Sequence, residues 1–153
     1  MHEGQLTEYI RRYGSTVMRA AYSYVKNIPD SEDIMQEVFL RLMELRKPLS
    51  SEEHIKAWLI RAAINLAKDR NRSVWHKNRG ELTEDIPAKQ AEDNGLSEAL
   101  DALDGKYRIV VYLHYYEGYS VNETARLLKL TEANVKTRLK RAREKLRAFL
   151  TDT

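Results

Sequence analysis

Residues 120–150 are the most constraining segment of the chain, because their pattern fits two short helices joined by a tight turn. At about 100° per residue, Val135, Leu139, Ala142 and Leu146 fall within one narrow sector and form an apolar seam. A helix that buries this seam presents its opposite side outward. The segment therefore requires a helical core around the seam and leaves one polar helix face exposed.

Capping signals mark the ends of this helix pair. Ser120 and Glu123 have the spacing of a capping box, which predicts a first helix over about 120–128. Thr131 is an N-cap candidate for the second helix, and Glu132 is favourably placed in its first turn. The pattern thus predicts a helix–turn–helix unit in the last third of the sequence.

The second helix of this pair is strongly basic. Residues 129–147 include eight Lys or Arg residues and only two Glu residues. The side opposite the seam presents Ala133, Lys136, Thr137, Lys140, Arg141 and Glu144. The DNA major groove accepts a helix with such a face, and phosphates attract its cations. We predict that this helix binds DNA; the alternative is a solvated face on an ordinary helical bundle.

Composition limits the class of protein. The chain has 153 residues, enough for one ordinary domain or two small ones, and its net charge is only +3. It has no cysteine, which excludes disulfides and thiolate metal sites. No apolar run reaches transmembrane length, and residues 1–12 lack the core of a signal peptide. We therefore expect a cytoplasmic protein without membrane insertion.

The distribution of charge divides the chain into parts. Residues 54–79 hold seven bases and one acid, residues 81–104 hold eight acids and one base, and the last part is basic again. Strand signals are weak, and helical periodicity predicts further helices over about 5–25, 30–45, 52–72, 96–103 and 107–117. We predict an all-α fold with two small helical domains, 1–76 and 96–153, joined by an acidic linker, 77–95.

The helices predicted over 30–45 and 52–72 have faces of opposite charge. The first begins with acidic and amide residues, which partly complement the helix dipole and also predict a protein partner. These residues are Asp30, Glu32, Asp33, Gln36 and Glu37. The second helix has a seam of Ile55, Leu59, Ala62 and Leu66, and beside it a polar stripe at i, i+4, i+7 and i+11. The stripe is Arg61, Asn65, Lys68 and Arg72. It suits phosphate contact with some base reading, although a solubilising outer face has the same pattern.

These segments together resemble a known family. DSEDIMQEVFLRLM from Asp30 and HIKAWLIRAAINLAKDRNR from His54 are similar to region 2 of bacterial RNA polymerase sigma factors. The sequence from Lys106 through Leu146, which contains the helix pair, is similar to their region 4. The order of the regions and the acidic linker match the extracytoplasmic-function (ECF) type. The resemblance implies a three-helix bundle for region 2 and a helix–turn–helix domain for region 4.

The resemblance also implies roles for residues. Asp33, Gln36 and Glu37 correspond to the stretch that docks on the β′ clamp of core RNA polymerase, and the segment near 107–116 corresponds to the surface that meets the β flap. The loop near 48–53, with Arg61, Asn65, Lys68 and Arg72, corresponds to the part that reads the −10 element. Lys136, Thr137, Lys140 and Arg141 correspond to the helix that reads the −35 element. An anti-sigma protein is expected to mask the polymerase-binding faces.

Two departures from the family pattern affect these expectations. Family members usually have Leu-Pro before the first region 4 helix, whereas this chain has Leu103, Asp104 and Gly105, so we expect a looser or shifted helix start. The recognition helix usually opens with Gly-Thr-Val-Lys-Ser-Arg. This chain has Asn134 at the position of the Thr in that motif. Asn134 adds a group that binds base edges or phosphate, and it is expected to shift the preferred −35 sequence.

The sequence thus predicts a sigma factor that binds core polymerase and directs transcription initiation. A helix–turn–helix regulator, or a sigma-like accessory activator that does not initiate alone, are the alternatives. The regulator leaves the pattern of residues 30–72 unexplained. An enzyme is not expected, because the four histidines are scattered and no nucleophile–base or metal-ligand spacing recurs. No cofactor or metal is expected.

Overall fold

A computed structural model describes residues 3–77 and 95–151, and of residues 71–77 only the backbone. The chain divides into two compact units, unit 1 (Met1–Leu82) and unit 2 (Thr83–Thr153). All regular elements within the described residues are helical, which confirms the all-α prediction. The predicted linker, 77–95, lies almost wholly outside the described residues, so the domain boundaries stay a prediction. No described helix combines the length and apolarity needed to cross a membrane.

Unit 1 is a three-helix bundle, as predicted. Its helices are α1 (Glu3–Val25), α2 (Ile28–Met43) and α3 (Glu52–Lys77), and each packs against the other two. The core is made of aliphatic side chains from all three. They include Val17, Ala21, Ile34, Val38, Leu42, Leu59, Ile60 and Ala63, each at most 2% exposed.

The start of α2 differs from the prediction. The prediction began this helix near residue 30, but the helix begins at Ile28 and its N-cap is Asn27. The Asn27 Oδ1 atom accepts a hydrogen bond from the backbone N of Asp30 at 2.8 Å. Pro29 lies in the first turn of the helix, where a backbone N–H has no helical partner. Its missing N–H therefore costs no hydrogen bond, and proline is compatible with the start of this helix.

The buried face of α3 also differs from the predicted seam. Ile55 and Leu59 are buried as expected, but Ala62 and Leu66 are only partly buried. The buried set extends instead through Ile60, Ala63, Ile64 and Ala67. Because α1 and α2 both pack on α3, the buried sector is wider than one helix contact and is rotated from the predicted seam. The predicted polar stripe lies on the side opposite this sector.

Unit 2 contains the remaining helices. These are α4 (Leu96–Ala102), α5 (Gly105–Val111), a π-helical turn (Tyr112–Tyr116), α6 (Val121–Leu128) and α7 (Glu132–Thr151). The core joins α4, α5 and α7 around Leu100, Leu103, Tyr107, Val111, Tyr112 and Ala142, with Leu146 packed against it. The predicted helix over 107–117 is therefore an α-helix that begins two residues earlier and ends as a π-turn.

A buried arginine holds the α4–α5 corner, where the family pattern has proline. Arg108 is 1% exposed. Its Nη1 atom donates to the carbonyl oxygens of Leu100 and Asp101, each at 3.3 Å, and to that of Leu103. Leu100 and Asp101 lie in the last turn of α4, where carbonyls run out of helical N–H partners, and Leu103 is its C-cap. The carbonyl of Leu100 also accepts from the backbone N of Leu103 at 3.1 Å. Helix α5 begins at Gly105, and Arg108 closes the corner; a shift relative to the family pattern stays a prediction.

Candidate nucleic-acid and polymerase interfaces

The helix–turn–helix unit has the predicted caps. Ser120 Oγ accepts from the backbone N of Glu123 at 3.0 Å, and Glu123 Oε1 accepts from the backbone N of Ser120 at 2.9 Å. The bond from the backbone N of Ser120, together with one from its side chain, lowers the pKa of the Glu123 carboxyl group. Lys129 ends α6 in the left-handed conformation, with φ of 59°. Thr131 Oγ1 accepts from the backbone N of Asn134 at 3.0 Å, which confirms it as the N-cap of α7.

The burial of α7 separates its apolar seam from its predicted DNA face. Val135, Leu139 and Ala142 are at most 3% exposed, and Leu146 is partly buried. All the predicted DNA-binding residues of this helix are exposed. They are Asn134, Lys136, Thr137, Lys140 and Arg141. The structure thus confirms the orientation of the helix, while contact of these residues with DNA stays a prediction.

Hydrogen bonds further define the exposed surface of α6 and α7. Asn122 Nδ2 donates to Glu132 Oε2 at 2.7 Å, and Arg126 Nη2 donates to Asn122 Oδ1 at 2.8 Å. This chain of bonds ties the first residue of α7 to α6. Within residues 3–77 and 95–151, Lys136, Lys140 and Arg141 make no ion pair or hydrogen bond through their side chains. Their charges are therefore available to phosphates.

The polar stripe of α3 is only partly available. Asn65 and Lys68 are exposed, and Lys68 Nζ lies 5.6 Å from the ring centroid of Tyr24. Arg61 is partly buried, and its Nε atom has no hydrogen-bond partner among the described residues. Arg72 lies in α3, but its side chain is outside the described part of the chain. The structure thus places the described members of the stripe on one face.

The α2–α3 loop borders a cavity. It measures about 280 Å³ and is lined by Gln5, Tyr9, Leu42, Leu45, Arg46, Lys47, Pro48, Leu49 and Ile55. Beside this cavity, Glu52 closes the loop, because it accepts hydrogen bonds from Arg12 and from Tyr13 Oη, the latter at 2.6 Å. The bond from Arg12, with that from Tyr13, lowers the pKa of Glu52. Partial burial, together with the bond to Glu52, raises the pKa of Tyr13.

The acidic face of α2 surrounds an apolar residue that the sequence analysis missed. Asp33, Gln36 and Glu37 are exposed and line a shallow pocket with Leu40, Leu66 and Arg70. Leu40 is 52% exposed although it is a large aliphatic side chain. It lies three or four residues after Glu37 and Gln36, on the same helix face. That spacing was the signal that could have identified it.

Cations already lie beside three acids of α2, Asp30, Asp33 and Glu37. Arg70 Nη1 lies 3.5 Å from both Asp30 Oδ1 and Asp33 Oδ2, and Arg41 Nε donates to Glu37 Oε2 at 2.9 Å. All five side chains are about a third or more exposed, so each pair contributes little to stability. The acids therefore remain able to exchange these partners for others.

A second candidate protein interface, which is aromatic, lies at the π-turn. Tyr115 and Tyr116 are 53% and 48% exposed, whereas Tyr107 and Tyr112 are buried. Tyr115 Oη accepts from Arg143 Nη1 at 3.0 Å, which connects the turn to α7. Only the end of the segment over 107–116 is thus accessible to a partner.

Comparison with known proteins covers both units. Residues 9–77 match the family model for sigma-70 region 2, and residues 94–146 match the model for sigma-70, region 4. The chain is similar to RNA polymerase sigma factor SigV of Bacillus subtilis, with 33% identity over 138 residues, 87% of this chain and 83% of SigV. The ECF RNA polymerase sigma factor SigW of the same species is 28% identical over 160 residues, 92% of this chain and 86% of SigW.

A solved structure has the same fold. The sigma factor RpoE from Bartonella quintana, crystallised with the anti-sigma factor NepR, has a TM-score of 0.77 and 20% identity. The match covers 97% of this chain and 98% of that one. The likeness therefore extends through both helical units.

Proposed function

The chain belongs to the RNA polymerase sigma factors of the ECF type, and from this membership we propose which of its residues bind promoter DNA and core polymerase. It is a promoter-recognition factor that binds core RNA polymerase and directs transcription initiation. The observation that carries the residue assignment is on α7, where Lys136, Lys140 and Arg141 make no ion pair or hydrogen bond among the described residues.

The −35 element is read by α7. Lys136, Thr137, Lys140 and Arg141 share the exposed side of a helix whose seam is buried, and the cations among them have no acidic neighbour in bonding distance within the described residues. The second helix of a helix–turn–helix unit inserts its first turns into the major groove of DNA. Each phosphate contact releases counterions, so promoter affinity falls as salt rises.

The −10 element is captured by unit 1. Arg61, Asn65, Lys68 and Arg72 contact the strand along α3, and an unpaired base enters the cavity beside the α2–α3 loop. The cavity volume, about 280 Å³, is close to the lower end of small-ligand pockets, which is roughly 300 Å³. Its lining supplies a ring from Tyr9 for stacking and cations from Arg46 and Lys47 for phosphate.

Core polymerase binds the acidic face of α2. Asp33, Gln36 and Glu37 form a polar rim around Leu40, an arrangement typical of protein interfaces with an apolar centre. The exposed end of the π-turn, at Tyr115 and Tyr116, meets the β flap. RpoE was crystallised with an anti-sigma factor, and a protein of that kind masks the same faces here.

The chain acts in the cytoplasm and performs no chemistry itself. Binding energy for unstacked bases drives promoter opening, and the polymerase supplies the catalytic site. This role needs no cofactor. Within the described residues, no three His, Asp or Glu side chains are grouped as metal ligands.

Run-off transcription with purified bacterial core polymerase tests the assignment. The template is a promoter library that combines varied −35 and −10 elements. Lys140→Ala and Arg141→Ala are expected to weaken −35 recognition while core binding is retained. Arg147→Ala is the matched control, because it removes one charge from an exposed position near the other end of α7. Loss of core binding in the first two variants would show that the wrong face was assigned, and core binding without initiation would identify an accessory activator.

A further inference from the structure

Asn134 is held in one side-chain orientation at the start of α7. It is the third residue of the helix, and its backbone N donates to Thr131 Oγ1 at 3.0 Å. Its side-chain Oδ1 accepts a hydrogen bond from Nε of Arg138, one turn further along, also at 3.0 Å. The side chain is exposed, and at about 100° per residue it lies at the edge of the predicted DNA face, next to Arg141. The amide is therefore fixed by a neighbour that belongs to the same helix.

The chemistry of arginine determines which end of the amide faces outward. A guanidinium has donors and no acceptor, so only the amide oxygen of Asn134 can face Arg138. The bond is charge-assisted and is therefore stronger than one between neutral groups. The amide nitrogen lies on the opposite side of the same planar group, so it is turned away from Arg138. Asn134 thus presents donors to anything that approaches α7.

We infer that Asn134 and Arg138 form a specificity pair, in which Asn134 reads one base of the −35 element and Arg138 is its positioning residue. The base is one that presents acceptors and no amino donor in the major groove, guanine or thymine. This inference rests on the proposed role of α7 as the −35-reading helix. Unrestrained Asn commonly pairs with adenine, which requires both the amide nitrogen and the amide oxygen. Here Arg138 takes one of the two lone pairs of that oxygen and lies on its side of the amide, so the pair disfavours two-bond pairing with adenine.

The decisive variant exchanges the outward donor for an acceptor and keeps the positioning bond. Asn134→Asp retains an oxygen for Arg138 and places a second oxygen where the amide nitrogen was. An acidic residue in the first turn is also favourable to the helix, so folding is preserved. At one −35 position, the preferred base is expected to change to cytosine or adenine, which offer amino donors. The discrimination is expected to be about tenfold, within the range for good base contacts.

Arg138 variants test the positioning role separately. Arg138→Met keeps a long side chain but has no donor, so the amide of Asn134 is released and adenine is expected to become acceptable at that position. Arg138→Lys retains a donor and is expected to keep the original preference. A merely structural role would lower transcription equally for every sequence, and would not change which base is preferred.

The experiment uses the full chain with core polymerase and a template library randomised across the −35 element. Transcripts are sequenced for the wild type and for each variant, together with Lys140→Ala and Arg141→Ala. An unchanged preference in Asn134→Asp, or a uniform loss of transcription with a reduced salt dependence, overturns the inference, since the latter indicates a phosphate contact. If Lys140→Ala and Arg141→Ala also leave every preference unchanged, the proposed role of α7 fails as well. If only these two alter recognition, the pair alone is wrong.

Discussion

Replacing Arg108 by methionine should destabilise unit 2 and leave unit 1 intact. Methionine fills much of the same volume but has no donor for the carbonyls of Leu100, Asp101 and Leu103. A hydrogen bond from a charged donor is worth about 1.5–3 kcal/mol, and one Nη1 atom has two N–H groups to share among the three acceptors. The gross loss is therefore about 3–6 kcal/mol.

Part of this loss is offset, because the variant no longer buries a guanidinium. We expect a net destabilisation of about 2–4 kcal/mol, comparable with the loss on removing one partner from a buried charged network. A folded unit of about 70 residues has roughly 4–10 kcal/mol of stability in total. The variant should thus lose between about a fifth and all of the stability of unit 2, and the packing of α4 against α7 is lost to the same extent.

Tryptophan fluorescence distinguishes the two units in this assay. Both tryptophans, Trp58 and Trp75, belong to unit 1, whereas far-ultraviolet circular dichroism reports the helices of both units. In urea, Arg108→Met should shift part of the dichroism transition to lower denaturant and leave the fluorescence transition in place. Arg147→Met, at an exposed position of α7, should shift neither. Equal transitions in Arg108→Met and the wild type would refute the assignment of Arg108 as the residue that holds the corner.

Three further predictions concern binding and pH. Lys140→Ala should reduce the slope of log affinity against log salt by about 1, in binding assays on promoter DNA, because one phosphate contact is lost; an unchanged slope contradicts that contact. Leu40→Ala should weaken core polymerase binding by about 1 kcal/mol, roughly fivefold, since about half of this side chain remains to be buried; equal affinity would exclude it from the interface. The lowered pKa of Glu52 stabilises the fold above the ordinary carboxyl range, and this contribution is lost as pH falls through the lowered value. The melting temperature of Glu52→Gln should therefore fall less than that of the wild type between about pH 6 and pH 3. An equal fall would contradict stabilisation of the Glu52 carboxylate by Arg12.

The success of the prediction differed between helices for a physical reason. The seam of α7 was predicted correctly through Val135, Leu139 and Ala142, because this helix buries a single narrow sector. The seam of α3 was misplaced at Ala62 and Leu66, because α1 and α2 cover a wider sector of α3, and periodicity alone does not reveal how neighbours are arranged around a helix. Neighbours are a property of the tertiary fold, so no local pattern contains them.

Local chemistry also determined which boundaries were predicted. The capping box of Ser120 and Glu123 marked the start of α6, since both partners lie within four residues. The start of α2 was predicted about two residues late, although Asn27 is a good N-cap and Pro29 is well accommodated in a first turn. The π-turn at 112–116 has no comparable signal in the sequence.

The candidate site illustrates a limit that applies to charged residues in general. Glu52, Arg108 and Lys140 are all ionisable residues in helical segments, and sequence alone gives them similar status. The structure separates them, because Glu52 and Arg108 bond to other parts of the fold, whereas Lys140 has no bonding partner among the described residues. Substitution of Glu52 or Arg108 lowers the stability of the protein and therefore reduces transcription from every promoter alike. Substitution of Lys140 changes affinity while stability is retained, and this difference makes the DNA face of α7 testable by mutation.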